Sequence, residues 1–484
     1  MEQLKSQAAM RSNANKLLNL AILAVLIPIA SSLYGQSEND STLTVSEYIR
    51  LVHQYHPLIR KAELQTSKGQ ATVLSARGSF DPKLFGSADQ KIFQDVDYYR
   101  HLTGGIQFPT RLGVKAEGFY KQANGNYLNP ELTLPTEGLF GASVYVPIGE
   151  GLLFDEARLQ WKRANIWNNA SEAQRKSMVN QVLFEAVIAY WDWFEAYHLF
   201  ELYANAAETA LERQQWVVQK ATIGERPFID TLESSTQVYQ RQIKANEALM
   251  KLQTSTLKLS TFLWVDDSTV LYVNPQTQPQ KPEDAAEFAA KAPESIPDIQ
   301  TLISNHPDQQ LALAKVDLKS ADLRWKKEQL KPDLNLKYSK LINGQNTDYA
   351  LGNDHMIGLE VGMPMLMRKE RGELRLAQLE LREYELDAQQ KGQQIKVYVQ
   401  SSMAERQRLN NQVQLTRTSS LAFSTLMNAE KELFELGESS LFLLNRRELN
   451  SLQASGEYYQ SIASLGKSTA KLYYSMGVME EAML

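Results

Sequence analysis

The chain has 484 residues, 43% of them hydrophobic and 22% charged, with a formal net charge of -5. That balance carries no electrostatic footprint for nucleic acid. The absence of cysteine excludes disulfides, cysteine-ligated iron–sulfur centres and thiolate zinc sites.

At the N-terminus, Arg11 and Lys16 form a basic start, Leu18 to Ser32 is nearly all apolar, and SSLYGQ follows. This pattern predicts a secretory signal over residues 1–35, cleaved near Gly35. No later run reaches the roughly twenty apolar residues of a membrane-spanning helix. The mature chain is therefore expected to be either soluble in an exported compartment or a β-barrel protein.

Two stretches then match at a constant offset. His56-Pro57 pairs with His306-Pro307 and Pro82 with Pro332, both 250 residues apart. Each stretch opens on His-Pro, runs as a helix, and breaks at the second proline into a strand-like segment. Pro147 in SVYVPIGEGL pairs with Pro364 in EVGMPMLMRKERGEL, and both close strand regions. Gly224 in ATIGERPF pairs with Gly437 in FELGESSL. Three matches in one order predict an internal duplication. The first repeat spans 43–265, with a strand region at 83–147, a long helix at 152–221 and a return helix at 227–265. A proline-rich linker covers 266–297. The second repeat spans 298–476, with a strand region at 333–363, a long helix at 369–436 and a return helix at 439–476. A tail closes the chain at 477–484.

The long helices are legible because residues 154–220 contain neither proline nor glycine. At 1.5 Å per residue each extends roughly 100 Å. Helices of that length need partners throughout, which predicts coiled-coil packing. Val114, Ala116, Gly118 and Tyr120 alternate with Lys115, Glu117 and Phe119, the period of a barrel strand. The first strand region exceeds the second by about thirty residues. It has room for an additional hairpin around FPTRLG, or for a long loop through QANGNYLNPELTLPTEG.

On Pro82, Pro147, Pro332 and Pro364 and the two glycine tips, the chain resembles the TolC-like outer-membrane efflux proteins along nearly its whole mature length. The resemblance implies an α+β membrane protein with the outer-membrane efflux protein fold. In it, three protomers give four strands each to one twelve-stranded β-barrel, continuous with a long periplasmic α-helical coiled-coil tube. It implies a homotrimer in the outer membrane, a periplasmic adaptor protein, and an inner-membrane pump of the RND, ABC or MFS type. Adaptor contacts carry over to the tips: Thr222, Ile223, Gly224, Glu225 and Phe228, then Leu436, Gly437, Glu438, Ser439 and Leu441. The family's best-studied member narrows its periplasmic end with aspartates just past the second tip; the matching positions here are Leu443 and Arg446. Leucine and arginine cannot form an acidic ring. Nearby carboxylates, Glu430, Glu432 and Glu435, are alternatives as charged lumen groups or as solvated surface.

No HExxH, Walker loop, GxSxG or GxGxxG occurs, so neither an enzyme nor a cofactor site is expected. Met363, Met365 and Met367 are read as packing or lipid contacts at a strand end rather than a soft-metal track, since no cysteine accompanies them. The aromatic run Tyr190, Trp191, Trp193, Phe194 and Tyr197 lies too far down the helix for an interfacial belt and is read as core. The expected function is the outer-membrane duct of a three-part efflux system. A type I protein-secretion duct of the same fold is the alternative, and a soluble periplasmic adaptor a weaker one.

Overall fold

Each His-Pro pair starts a helix by the same device. Proline at the first helical position has no N–H to leave unsatisfied. The preceding histidine accepts the next orphan N–H through Nδ1: His56 from Leu58 at 3.2 Å, and His306 from Asp308 at 3.1 Å. Both imidazoles are buried, and burial lowers both pKa values, which keeps Nδ1 available as an acceptor.

The computed structural model describes residues 42–130, 133–266, 268–291, 298–343 and 354–484; the signal-like segment lies outside them. In chain order the elements are β1 (Thr42–Leu43), α1 (Val45–Tyr55), α2 (Pro57–Arg77), β2 (Lys83–Phe93), β3 (Val96–Pro109), β4 (Lys115–Asn124), β5 (Leu139–Pro147), α3 (Glu156–Thr222) and α4 (Ile229–Ser260). Then follow β6 (Gln278–Pro279), α5 (Pro282–Ala290), α6 (Ile299–Asn305), α7 (Pro307–Glu328), β7 (Asp333–Asn343), β8 (His355–Gly362), α8 (Arg368–Glu435), α9 (Leu441–Met476) and α10 (Met479–Met483). β1 and β6 pair in parallel, Thr42 with Gln278, within a small unit of their own. The six-stranded sheet, the long helices and both tips belong to the larger unit, Thr44–Val273 with Gln280–Leu484.

The two long helices pack differently. Between Val179 and Leu199, α3 is buried almost all round, with Tyr190, Trp191, Trp193 and Phe194 among the largest fully buried side chains. This is the core expected from the aromatic run. A β-carbon on Gly466 of α9 would lie 2.0 Å from Trp191 Cε2, so α9 approaches the indole only because that position lacks a side chain. By contrast, α8 buries a narrow seam, in which Ala388, Ile395, Ser402, Leu409 and Thr416 recur every seven residues. That is coiled-coil spacing. From Ile395 on, its partner is α9: Thr416 and Ser461 share a hydrogen bond of 2.7 Å, and Lys471 reaches Glu405 at 2.7 Å.

The strands form one six-stranded sheet in the order β2-β3-β4-β5-β7-β8, antiparallel throughout. This corrects the expectation of four strands per protomer. The longer first strand region carries a second hairpin, β3–β4. Thr110 turns it by bonding the Val114 carbonyl through both its backbone N–H and its Oγ1, with Gly113 at φ +85°. Between β4 and β5 the described residues of 125–138 lie outside the strands, so the added length goes into a hairpin and not only into a loop. The β2–β3 turn places Gln94 and Asp95 at positive φ, as a two-residue hairpin of this hand requires. No glycine marks it in the sequence.

Pro82 and Pro332 each immediately precede a strand, Pro147 ends β5, and Pro364 lies just after β8. The two halves are joined at this level. Ile148 N–H donates to Leu334 O at 2.7 Å, and Glu150 N–H to Pro332 O at 2.9 Å.

Candidate conduit and docking tips

Strand alternation sorts the sheet into two chemically distinct faces. On one face, cross-strand pairing brings together Leu84, Ile106, Phe108, Phe140, Val144, Leu336, Tyr338, Ile357, Leu359 and Val361, with the charges Arg100 and Lys340 only toward the strand ends away from the helices. All ten are exposed, Leu84 to 86%. On the other lie Lys83, Asp89, Lys91, Glu117, Lys121, Lys337 and Glu360. A contiguous exposed apolar face backed by charge is the pattern of a sheet between lipid and an aqueous lumen. Strands of 8 to 14 residues bracket the length that spans a bilayer at a tilt. Among the described residues, no helix is long and apolar enough to cross a membrane.

The polar face is not uniformly open. Ser143 and Ser339 are buried there and share a hydrogen bond of 2.7 Å. Phe119 lies over Gly141, where a β-carbon would meet its ring at 2.3 Å.

At the opposite ends of α3 and α8, both tips close by the same Schellman geometry. Glu225 N–H donates to Lys220 O and Glu438 N–H to Leu433 O, both at 2.9 Å. Gly224 and Gly437 stand at φ +78° and +80° with nothing near a notional β-carbon, so the left-handed backbone alone explains glycine there. Thr222 ends α3 and bonds Val218 O; Ile223 and Phe228 are exposed, Phe228 to 83%. Glu225 pairs with Lys220 at 2.6 Å. Arg226 lies over the Phe434 ring at 4.4 Å and the Trp216 ring at 5.1 Å, which ties the first tip to the second. Leu436 and Glu438 are exposed, and Ser439 bonds Glu430. Leu441 is turned inward, packed with Val217, Phe434 and Leu444; it builds the tip rather than its surface.

Leu443 sits in the first turn of α9, where its N–H is capped by Ser440 Oγ at 3.2 Å. Both Leu443 and Arg446 face outward. Among the described residues no carboxylate pairs with Arg446, whereas Arg447 reaches Glu430 at 3.6 Å. Glu430 is buried in that contact, while Glu432 and Glu435 are exposed.

Just behind Arg446 lies a buried charge cluster that the sequence reading missed. Arg213 of α3 makes two hydrogen bonds to Glu448 of α9, at 2.9 and 3.0 Å, and a third to Asn445 at 3.2 Å. Arg241 of α4 approaches the same carboxylate at 3.7 Å, and Asn445 donates to Glu233 of α4 at 3.1 Å. Burial lowers the Arg241 pKa, opposed by Glu448. The only signal in the sequence is four charges at or beside the buried positions of their helices, and their mutual distance is set by three helices meeting.

The methionines near Pro364 are surface residues: Met365 is 99% exposed and Met363 about half. Among the described residues there is no group of metal-ligating carboxylates or histidines.

Comparison with known proteins places the architecture. No family model matches the chain, and no curated protein matches it by sequence. Solved structures do match. The Campylobacter jejuni CmeC outer membrane channel superposes with a TM-score of 0.64 at 15% identity, over 92% of this chain and 90% of that one. The open state of the Neisseria gonorrhoeae MtrE outer membrane channel gives 0.62 at 14% identity, over 90% and 88%. The Vibrio cholerae outer membrane protein VceC gives 0.62 at 12%, over 90% and 96%. At such identities the likeness is one of fold, and it extends over nearly the whole of each chain.

Proposed function

We propose that this chain, which has the fold of the TolC-like outer-membrane channels, is the outer-membrane duct of a three-part export system. The observation that carries the reading is the sheet with one exposed apolar face and one charged face, attached to two helices of 67 and 68 residues. The apolar face suits the hydrocarbon of the outer membrane, the charged face an aqueous lumen, and the helices a reach of roughly 100 Å into the periplasm. The duct is passive, and an inner-membrane pump of the RND, ABC or MFS type supplies the energy. The matching caps and tips in the two halves support their origin as copies of one unit.

The duct assembles as a homotrimer. Exposed apolar residues support assembly through the helices: on α4, Ile243, Met250 and Leu257 recur every seven residues outside the helix's buried side. An exposed heptad stripe is a coiled-coil seam awaiting a neighbour. The periplasmic adaptor docks on the tips, where Ile223, Phe228 and Leu436 present apolar surface beside Glu225 and Glu438. Polypeptide secretion by a type I system uses the same architecture and is the second reading.

Purified protein in planar bilayers tests this. Discrete conductance steps from a trimeric species are expected. A monomer in detergent that gives no conductance would overturn the duct.

A further inference from the structure

The six strands hold a regular stagger that fixes how the sheet must close. From Lys83, the first residue of β2, the row of directly paired residues runs through Gln107, Glu117, Ser143 and Ser339 to Met356. Measured from the helix-side end of each strand, the row climbs two positions in β3 and β4, four in β5, and six in β7 and β8. That is one residue of stagger per strand. With about 3.3 Å of rise per residue and about 4.8 Å between strands, the strands tilt by roughly 35°, the lower end of the barrel range.

Among the described residues, β2 and β8 each have one strand neighbour in the sheet. With lipid on the apolar face, their outer N–H and C=O groups find no water and must be paired. Six strands are too few to close alone, since the smallest membrane barrels have about eight. β2 runs away from the helices and β8 runs back towards them, so β2 of one copy meets β8 of another antiparallel. Such head-to-tail pairing closes a ring.

We infer that three copies of this chain close an 18-stranded barrel, with β2 of each paired to β8 of the next so that Lys83 stands opposite Gly362. This rests on the trimeric duct proposed above and replaces the twelve strands that the resemblance implies. The register levels the helix-side strand ends and continues the stagger of one residue per strand across the junction. It sets Lys83 diagonally beside Glu360 on the lumen face, opposite charges within reach of each other. It also widens the mouth. At this tilt, 18 strands make a ring about 34 Å across between backbones, against about 23 Å for 12. The outer-membrane section then admits solutes that a twelve-stranded barrel excludes.

The chain has no cysteine, so engineered pairs report cleanly. In this register Ser87 faces Gly358 of the next copy, and both positions have room for a side chain. In the full-length protein in native membranes, S87C/G358C should oxidise to a covalent trimer on a denaturing gel, while S87C/I357C, with the sulfurs on opposite faces, should not. K83E and E360K should each lower the temperature at which the assembly dissociates in detergent, and the double variant should restore it. A trimer that conducts but shows neither the cross-link nor the restored charge pair overturns the 18-stranded closure and leaves the duct intact. A dimeric mass with the cross-link overturns the count of three. A monomer without conductance overturns the duct as well.

Discussion

Arg213 and Glu448 meet in parallel, two guanidinium nitrogens on two carboxylate oxygens at 2.9 and 3.0 Å, with both side chains largely withdrawn from water. Arg241 adds a second cation to the same carboxylate. The cluster joins α3, α4 and α9 within one turn of Arg446. It locks the tip through charge, so its removal should loosen this end of the molecule before any other.

Replacing Glu448 with alanine strands two buried guanidinium groups. Breaking a buried pair in this way typically costs about 3–5 kcal/mol. The expected outcome is faster hydrogen exchange in α4 and the start of α9, with the sheet unaffected. Exchange unchanged at the tip would show that the pair holds nothing.

Arg446 offers the contrasting case. It is exposed and makes no ion pair among the described residues, so Arg446→Ala should leave thermal stability within about 0.5 kcal/mol of the parent. If it lines the constriction, reversal potentials in a salt gradient should move towards cation preference. An unchanged reversal potential would remove Arg446 from the lumen.

Gly466 should tolerate no side chain. Alanine there meets the Trp191 ring, and overpacking a rigid core costs typically about 1–3 kcal/mol. A lowered midpoint of thermal unfolding is expected for Gly466→Ala, with partial recovery in the double variant that also carries Trp191→Phe. A midpoint equal to that of the parent would mean that α9 moves away freely.

Gly224 and Gly437 differ from Gly466 because space around them is open. Alanine at either meets only the left-handed backbone penalty, roughly 1–2 kcal/mol. Phe228→Ser should leave folding unchanged and weaken capture of the adaptor. Undiminished capture by Phe228→Ser would move the docking surface elsewhere.

Acid should act in two windows. Burial holds the His56 and His306 pKa values below the ordinary 6.5. The unfolded chain therefore takes up these protons first, and the stability they contribute is complete above about pH 6.5 and falls below it. Glu480 behaves as a depressed carboxylate: hydrogen bonds from His53 and Arg175 bring it down from 4.5 to about 2. Its contribution is present above pH 4.5 and is lost as the pH falls through about 2. A variant with asparagine at both His56 and His306 keeps the caps without titrating. Its unfolding midpoint should vary less between pH 7 and 5 than that of the parent.

Repetition, capping and periodicity were readable from the residues because each is a local constraint. His-Pro selects a helix start whatever surrounds it, glycine selects a left-handed turn, and a stretch such as 154–220 without helix breakers is one helix. What the sequence alone determined is thus the long helices, the glycine tips, the prolines that bound the strand regions and the aromatic core of α3. Tertiary structure decided the rest. The β3–β4 hairpin was ambiguous because the extra length of the first strand region could form a hairpin at FPTRLG or a long loop through QANGNYLNPELTLPTEG until the strands find partners. The pairing of Arg213 with Glu448, 235 residues apart, and the inward position of Leu441 depend on three helices converging. No residue states in advance which face of its helix the others will meet. The six-strand count follows from hydrogen bonds between strands. Those are long-range choices, made only when the whole sheet satisfies its backbone at once.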